Sequence, residues 1–580
     1  MAAVAATQRR RPAAHAQISQ IGEIGPIGAI GVASVAVTLP LWTVSFPPMV
    51  DYPQQLALAA ILRWYGDPVR RFAATYEIWW TAPHALWKLL VAGLAWIMPI
   101  EVAGKLVVAL SLAAVGPAAF ALCRRAGRPG WYALAALALV YNYAFSWGFV
   151  DNLLAYPLVL AGVALADRLL AERASARSWL LLAGMVLLFY TVHLQMLAAF
   201  AGAVGWLALV RLPRPGRLAF QLSALVPALL LATAMLARSG AGAGSGSGTN
   251  GEAHSPISRY EMRMRAVPTV LLAPAEKAAL LPKHLFGGHP DATAGVLFLL
   301  WLALWPAAGR GPAEARRDEG EEAAGAAGAP RGEPASAAAP AASWRERLER
   351  SRFATLAAWL GLLYFVLPES SWGYLIAARM APLAAMVGVA ALPCRNRPGR
   401  RLVALLAGGL VVLQLGATEA DFLRFERESR GLATLLAATA PGENLAGLIY
   451  HPDAVSRVGA PVLLHMPAYY QVEKGGRVLF SFAELYHLTV KFRPGQSWDD
   501  LLAEWDDWNP QGFSYPRHAA RFRYFLVRGT SEELSSAFGS HLAELRVRSA
   551  GAWFLVERPA PSHPPEQPPR RQIQKLPAPG

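Results

Sequence analysis

The chain has 580 residues, 54% of them hydrophobic and only 16% charged, against roughly 25% charge in an ordinary soluble domain. The net charge of +15 sits in short arginine clusters between apolar blocks. That pattern follows the positive-inside rule of membrane proteins and, with no nucleic-acid-binding motif present, excludes nucleic acid as the expected partner.

In chain order, Arg9, Arg10 and Arg11 precede an apolar run that ends in Phe46-Pro47-Pro48-Met49. It lacks a small-residue cleavage site and reads as a retained first span. Apolar windows near 26–46, 103–122, 131–149, 153–171, 179–192, 195–210, 218–237, 293–309, 353–368, 376–393 and 402–418 give about eleven spans. The block 83–100 is also long enough to cross. Counting it as a span would put Arg124, Arg125 and Arg128 on the outside. Counting it as a surface helix, marked by Trp79, Trp80, Trp87 and Lys88, places six arginine-rich loops on the inside together. Cys123 and Cys394 each close an apolar block beside arginines, at cytosolic helix ends where no disulfide is expected.

The organisation expected is a cytosolic tail over 1–24, a transmembrane domain over 25–419, a small α/β domain on the outer face over 420–558, and a disordered Pro-rich tail over 559–580. The transmembrane domain contains a first outer loop at 47–102 with surface helices and a disordered cytosolic loop at 310–352. Residues 240–248 read GAGAGSGSG, a flexible linker after a helix and not a dinucleotide fingerprint after a strand. In the last domain, 445–450 and 522–528 read as strands, 531–545 as a helix, and 545–548 with 552–557 as a hairpin.

Residues able to carry chemistry gather at the expected outer helix ends. Asp51 follows the first span in Pro47-Pro48-Met49-Val50-Asp51-Tyr52-Pro53, where a carboxylate is costly and suits a general base. It can equally cap an amphipathic helix starting near Gln54. Asp151 holds the corresponding place in the second outer loop, with a capping role as its alternative. Glu77, His84 and His193 are further polar candidates, and His193 interrupts an apolar stretch. Arg379, at the outer side of a span, suits a phosphate, with snorkelling as the alternative; Lys283 and His284 are weaker candidates for the same task. The chain carries no P-loop, no Gly-x-Ser-x-Gly, no His-Glu-x-x-His and no zinc-type Cys/His cluster.

This layout resembles the GT-C superfamily of membrane glycosyltransferases, which includes protein mannosyltransferases and lipid A aminoarabinose transferases. Asp51 stands where those enzymes place an acid after the first span. Ala82-Pro83-His84-Ala85-Leu86-Trp87 is similar to their Pro-rich surface helix, Arg124-Arg125 matches a cytosolic arginine pair, and Asp151 falls where some members place a second acid. The chain lacks the paired Asp-x-Asp of the best-known pattern, having Asp51-Tyr52-Pro53. The resemblance implies a polyprenyl-phosphate-linked sugar donor, a glycan, lipid or protein acceptor, and no nucleotide cofactor, and it leaves open a divalent metal shared by the two acids. Asp51 would be the base and Arg379 the phosphate contact. Two other readings are a transporter or flippase, which needs ionisable groups near the midplane, and a membrane scaffold, which needs no convergence of Asp51, Asp151 and Arg379.

Overall fold

The computed structural model describes residues 25, 27–172, 175–211, 215–244, 269–287, 289, 291–308, 343–370, 375–393, 397–453, 460–485, 488–502 and 504–559. The expected tail at 1–24, all but the first residue of the tail at 559–580, most of the 310–352 loop, Cys394, and the end of the 240–248 linker lie outside these residues. Residues 240–244 continue a helix instead of starting a linker. The expected loop at 310–352 ends in a helix, Trp344–Arg350. Its start is set by a capping box in which Ser343 and Glu346 satisfy each other's backbone N–H groups.

The molecule is a helical, mostly apolar membrane protein. Among the described residues five helices are long and apolar enough to cross a bilayer: Ile100–Arg125, Val150–Ala171, Leu194–Arg211, Gly216–Met235 and Gly399–Ala437. A sixth arises if Pro274–Phe286 and Asp291–Ala307, which meet at 90°, count as one broken span. The other expected spans fall on shorter or broken apolar segments. Ile27–Trp42, Ala176–Val192, Arg352–Val366 and Met380–Ala391 are apolar but shorter. The 131–149 block is broken into pieces. The first helix ends at Leu137, and Asn142 starts a new short one by accepting from Ala144 N at 2.9 Å and Phe145 N at 3.3 Å. Leu110, Leu299, Leu405 and Val412 face outward from the helices, as lipid-facing residues do.

The 83–100 block forms a helix only over Leu86–Leu94, nine residues or about 14 Å, too short to cross. Trp87 and Lys88 do not mark its surface; both are fully buried, and Leu89, Leu90, Trp96 and Ile97 are exposed. Tyr52–Arg63 also departs from the amphipathic surface helix expected near Gln54, because Tyr52 through Ile61 are all buried.

The first loop is joined to the C-terminal segment. Strand β1 (Tyr76–Ile78) pairs antiparallel with β4 (Val490–Phe492), in register Glu77↔Lys491. Gln54 donates to Phe480 O at 3.1 Å and accepts from Phe482 N at 3.2 Å. A second sheet runs β3-β2-β5-β7-β6, built from β2 (Asn444–Ile449), β3 (Arg477–Val478), β5 (Tyr524–Arg528), β6 (Arg546–Ala550) and β7 (Trp553–Glu557). Its faces alternate between two cores. Leu445, Leu526 and Leu555 pack with the helices, while Ala446, Phe525, Val527 and Val556 pack with Trp498, Trp505 and the first-loop residues Leu58, Phe72 and Tyr76. This two-sided burial is why β5 reads as an unbroken apolar run.

Candidate functional site

The site forms at the end of the helices where Asp51 and Asp151 lie, and the backbone brings them together. After the Ile27–Trp42 helix the chain runs beside the turn that opens Val150–Ala171. Val50 N donates to Ser146 O and Asp51 N to Trp147 O, both at 3.0 Å. Gly148 makes this approach possible. Its φ is +73°, and a Cβ there would meet Tyr52 N at 2.7 Å and Asp51 N at 2.8 Å.

Asp51 occupies the cap position of Tyr52–Arg63, yet its side chain makes no capping bond. Its Oδ1 lies instead 3.3 Å from His465 Nδ1, an ion-pair contact and not an aligned hydrogen bond. His465 Nε2 lies 3.0 Å from Asp507 Oδ2. The imidazole stacks on Phe480 and meets Phe482 edge-on. Burial acts to lower the pKa of His465, but the hydrogen bond to Asp507 and the charges of Asp507 and Asp51 outweigh it and push the group up to about 9. At neutral pH an imidazolium therefore bridges two carboxylates, one from the first loop and one from the C-terminal segment.

Asp151 lies in the first turn of Val150–Ala171 and is buried. Its Oδ2 receives Lys88 Nζ at 2.9 Å, and Lys88 also donates to His84 O at 2.6 Å. Oδ1 of Asp151 has no hydrogen-bond partner. His84 Nδ1 stands 3.8 Å from Asp151 Oδ2. His84 holds φ at +60°, a conformation that costs a non-glycine residue about 1–3 kcal/mol and gathers at functional sites.

The chain of polar groups continues through two more helix ends. The rings of His84 and His193 lie 4.5 Å apart, edge to face. His193 sits just past Ala176–Val192; its Nδ1 accepts from Gln195 N at 3.2 Å and its Nε2 lies 3.1 Å from Arg379 Nη1. A neutral imidazole has one bare nitrogen, so it can accept from Gln195 or from Arg379 but not from both. Arg379 stacks on Phe149 at 3.9 Å, Tyr156 Oη donates to its carbonyl at 3.1 Å, and the charges of Asp51 and Asp151 both act on its guanidinium.

The structure thus brings Asp51, His84, Asp151, His193 and Arg379 into one neighbourhood, together with Lys88, His465 and Asp507. Glu77 lies elsewhere, on β1 opposite Lys491. Lys283 and His284, at the end of Pro274–Phe286, pack against Tyr143. Lys283 Nζ faces the Tyr143 ring at 5.3 Å. His284 Nδ1 donates to Tyr364 Oη at 3.0 Å, since that hydroxyl spends its own proton on Lys277 O, and His284 Nε2 lies 3.6 Å from Glu369. His284 is thereby engaged within the packing. No local signal marks His465, in a run without strand or helix periodicity, or Asp507, beside the turn-forming Asp506. Lys88 is legible only as a lysine inside an apolar helix.

Among the described residues, no group of three or more His, Cys, Asp or Glu side chains is arranged to hold a metal ion. The donor set at Asp51 and Asp151 does not fit a shared divalent ion, because each acid already faces a cation, His465 or Lys88.

No family model matches the chain, and no curated protein matches it. Among solved structures it is similar to the crystal structure of ArnT from Cupriavidus metallidurans bound to undecaprenyl phosphate, at 14% identity over 90% of this chain and 97% of that chain, with a TM-score of 0.42. An overlap this loose fixes no residue's role.

Proposed function

We propose that the chain is an integral-membrane glycosyltransferase that moves a sugar from a polyprenyl-phosphate donor to an acceptor on the outer face of the membrane. The observation that carries this reading is the convergence of acids and cations from separate segments at one end of the helices: Asp51 and His84–Lys88 from the first loop, Asp151 and Arg379 from helix starts, His465 from the C-terminal segment.

In this reading the arginine-rich ends face the cytosol, so the Asp51 end and residues 420–558 face outward. The donor's lipid tail lies along the helices. The acceptor hydroxyl attacks the anomeric carbon and its proton passes to Asp51. The bond from the anomeric carbon to the phosphate oxygen breaks, and the electron pair leaves with the polyprenyl phosphate. Lys88 and Arg379 meet the charge left on that phosphate. The His465 imidazolium, 3.3 Å from Asp51, fixes the direction of that carboxylate. Asp151 orients Lys88 through one oxygen.

A transporter reading fits less well. Val150–Ala171 carries its ionisable residues only near its two ends, at Asp151 and at Asp167 and Arg168, with none at its middle. The test supplies membranes containing the chain with labelled sugars on polyprenyl phosphates and, in parallel, on nucleotides. Transfer from a polyprenyl-phosphate donor alone is expected. Transfer from nucleotide sugars alone would overturn the proposal.

A further inference from the structure

A second feature lies at the opposite end of the helices. A cavity of about 270 Å³ opens between the end of Ile100–Arg125, the start of Arg352–Val366 and the end of Met380–Ala391. Its lining joins three arginines, Arg128, Arg347 and Arg350, to the apolar Phe353 and Ala390. The neighbouring acids are already engaged. Asp167 binds Arg125, Arg211 and Arg352, Glu349 binds Arg211 at 2.6 Å, and Glu346 accepts from the backbone of Ser343. Among the described residues, no ion pair neutralises Arg128, Arg347 or Arg350, and Arg128 Nε is buried without a hydrogen-bond partner.

Three guanidiniums around one opening, none of them in an ion pair among the described residues, form an anion site. The planar fork of arginine fits phosphate oxygens in pairs. The surroundings are those of a membrane surface. Trp344 stands exposed on the short helix that carries Arg347 and Arg350, and the apolar part of the lining continues into helices facing lipid. A basic cleft between helix ends, apolar on one side, matches an anionic headgroup whose acyl chains remain in the bilayer. We propose that this cleft binds the phosphate of an anionic phospholipid, at a site separate from the Asp51 neighbourhood and independent of the function proposed for it.

The full chain, purified and placed in phosphatidylcholine bilayers containing phosphatidylglycerol, tests this by native mass spectrometry of the retained lipid. The wild type is expected to retain phosphatidylglycerol over phosphatidylcholine. The triple variant Arg128→Gln, Arg347→Gln, Arg350→Gln is expected to lose at least about tenfold in that retention, roughly what charge-assisted pairs to one phosphate contribute. The corresponding three Arg→Lys changes keep the charge and lose the fork, so they should fall between. Arg168→Gln, a control at an exposed arginine paired with Glu172, should change nothing. An unchanged melting transition of the triple variant in pure phosphatidylcholine shows that its fold is intact. Displacement of the lipid by equimolar inorganic phosphate would overturn the lipid assignment in favour of a free-phosphate site. Equal retention by wild type and triple variant would overturn the site itself.

Discussion

Asp151 and Asp167 lie on one helix, Val150–Ala171, 16 residues or about 24 Å apart, and they are treated in opposite ways. Both oxygens of Asp167 are filled. Oδ1 takes Arg211 and Arg352, and Oδ2 takes Arg125, Arg211 and Arg352, at 2.6–3.2 Å. Four helices are pinned to one carboxylate that has no bonding capacity left. Asp151 is also buried, but it holds a single lysine through one oxygen and leaves the other bare, beside a histidine in a strained backbone conformation. A closed ionic hub serves the fold. An acid kept half-satisfied costs stability, and such costs are borne where a site needs an open group.

This contrast can be broken experimentally. The largest effect is expected from Asp167→Ala, which leaves three partly buried guanidiniums without their anion. It should cost about 3–5 kcal/mol, read as loss of folded protein in a detergent melt. At the other end, Lys88→Met strands Asp151 and should destabilise by a comparable amount. Adding Asp151→Asn should restore most of that loss, because removing both partners of a buried pair is far milder than removing one. Transfer should stay depressed by about 100-fold in the stable double variant, which separates chemistry from folding. If the double variant transfers normally, Lys88 and Asp151 are a structural pair like the Asp167 hub.

The pH dependences are smaller. The pKa of His465 is raised in the folded chain, from 6.5 to about 9. Its contribution to stability is therefore fully present below pH 6.5 and fades as pH rises through about 9. His465→Gln should flatten the melting curve over that window. Glu473 carries the smallest effect. Burial and then the charge of Glu101 raise its pKa from 4.5 to about 7, so its contribution is present below pH 4.5 and is lost as pH rises through 7. Glu473→Gln should stabilise the chain at pH 8 relative to wild type and not at pH 4.

How much of this was legible depends on the range over which each signal acts. Local signals read well. The strand expected at 445–450 forms at Asn444–Ile449, the hairpin forms at Arg546–Ala550 with Trp553–Glu557, and Asp51 and Asp151 drew attention as acids beside apolar blocks. Apolarity alone does not register the breaks inside 131–149, where Asn142 caps a new short helix and Gly148 takes φ +73°. The helix expected over 531–545 stops at Phe538, where Gly539 takes φ +55° and a 3-10 turn follows. Pairings across hundreds of residues left no trace in the sequence. His465 meets Asp51 only because the C-terminal segment folds onto the first loop, and Asp167 gathers arginines from three other helix ends. Glu77, Lys283 and His284 are polar residues in the right regions, but the fold points them to other partners.

The most direct test of the central claim compares transfer of labelled sugar from polyprenyl-phosphate donors by the wild type and Asp51→Asn, in membranes matched for inserted protein. The change keeps the side chain's shape and removes the base. A loss of at least about 100-fold, measured against the amount of folded protein in each membrane sample, is the expected result. Equal transfer by the two chains would contradict the account, since Asp51 would then be only the anchor that holds His465 to the first loop.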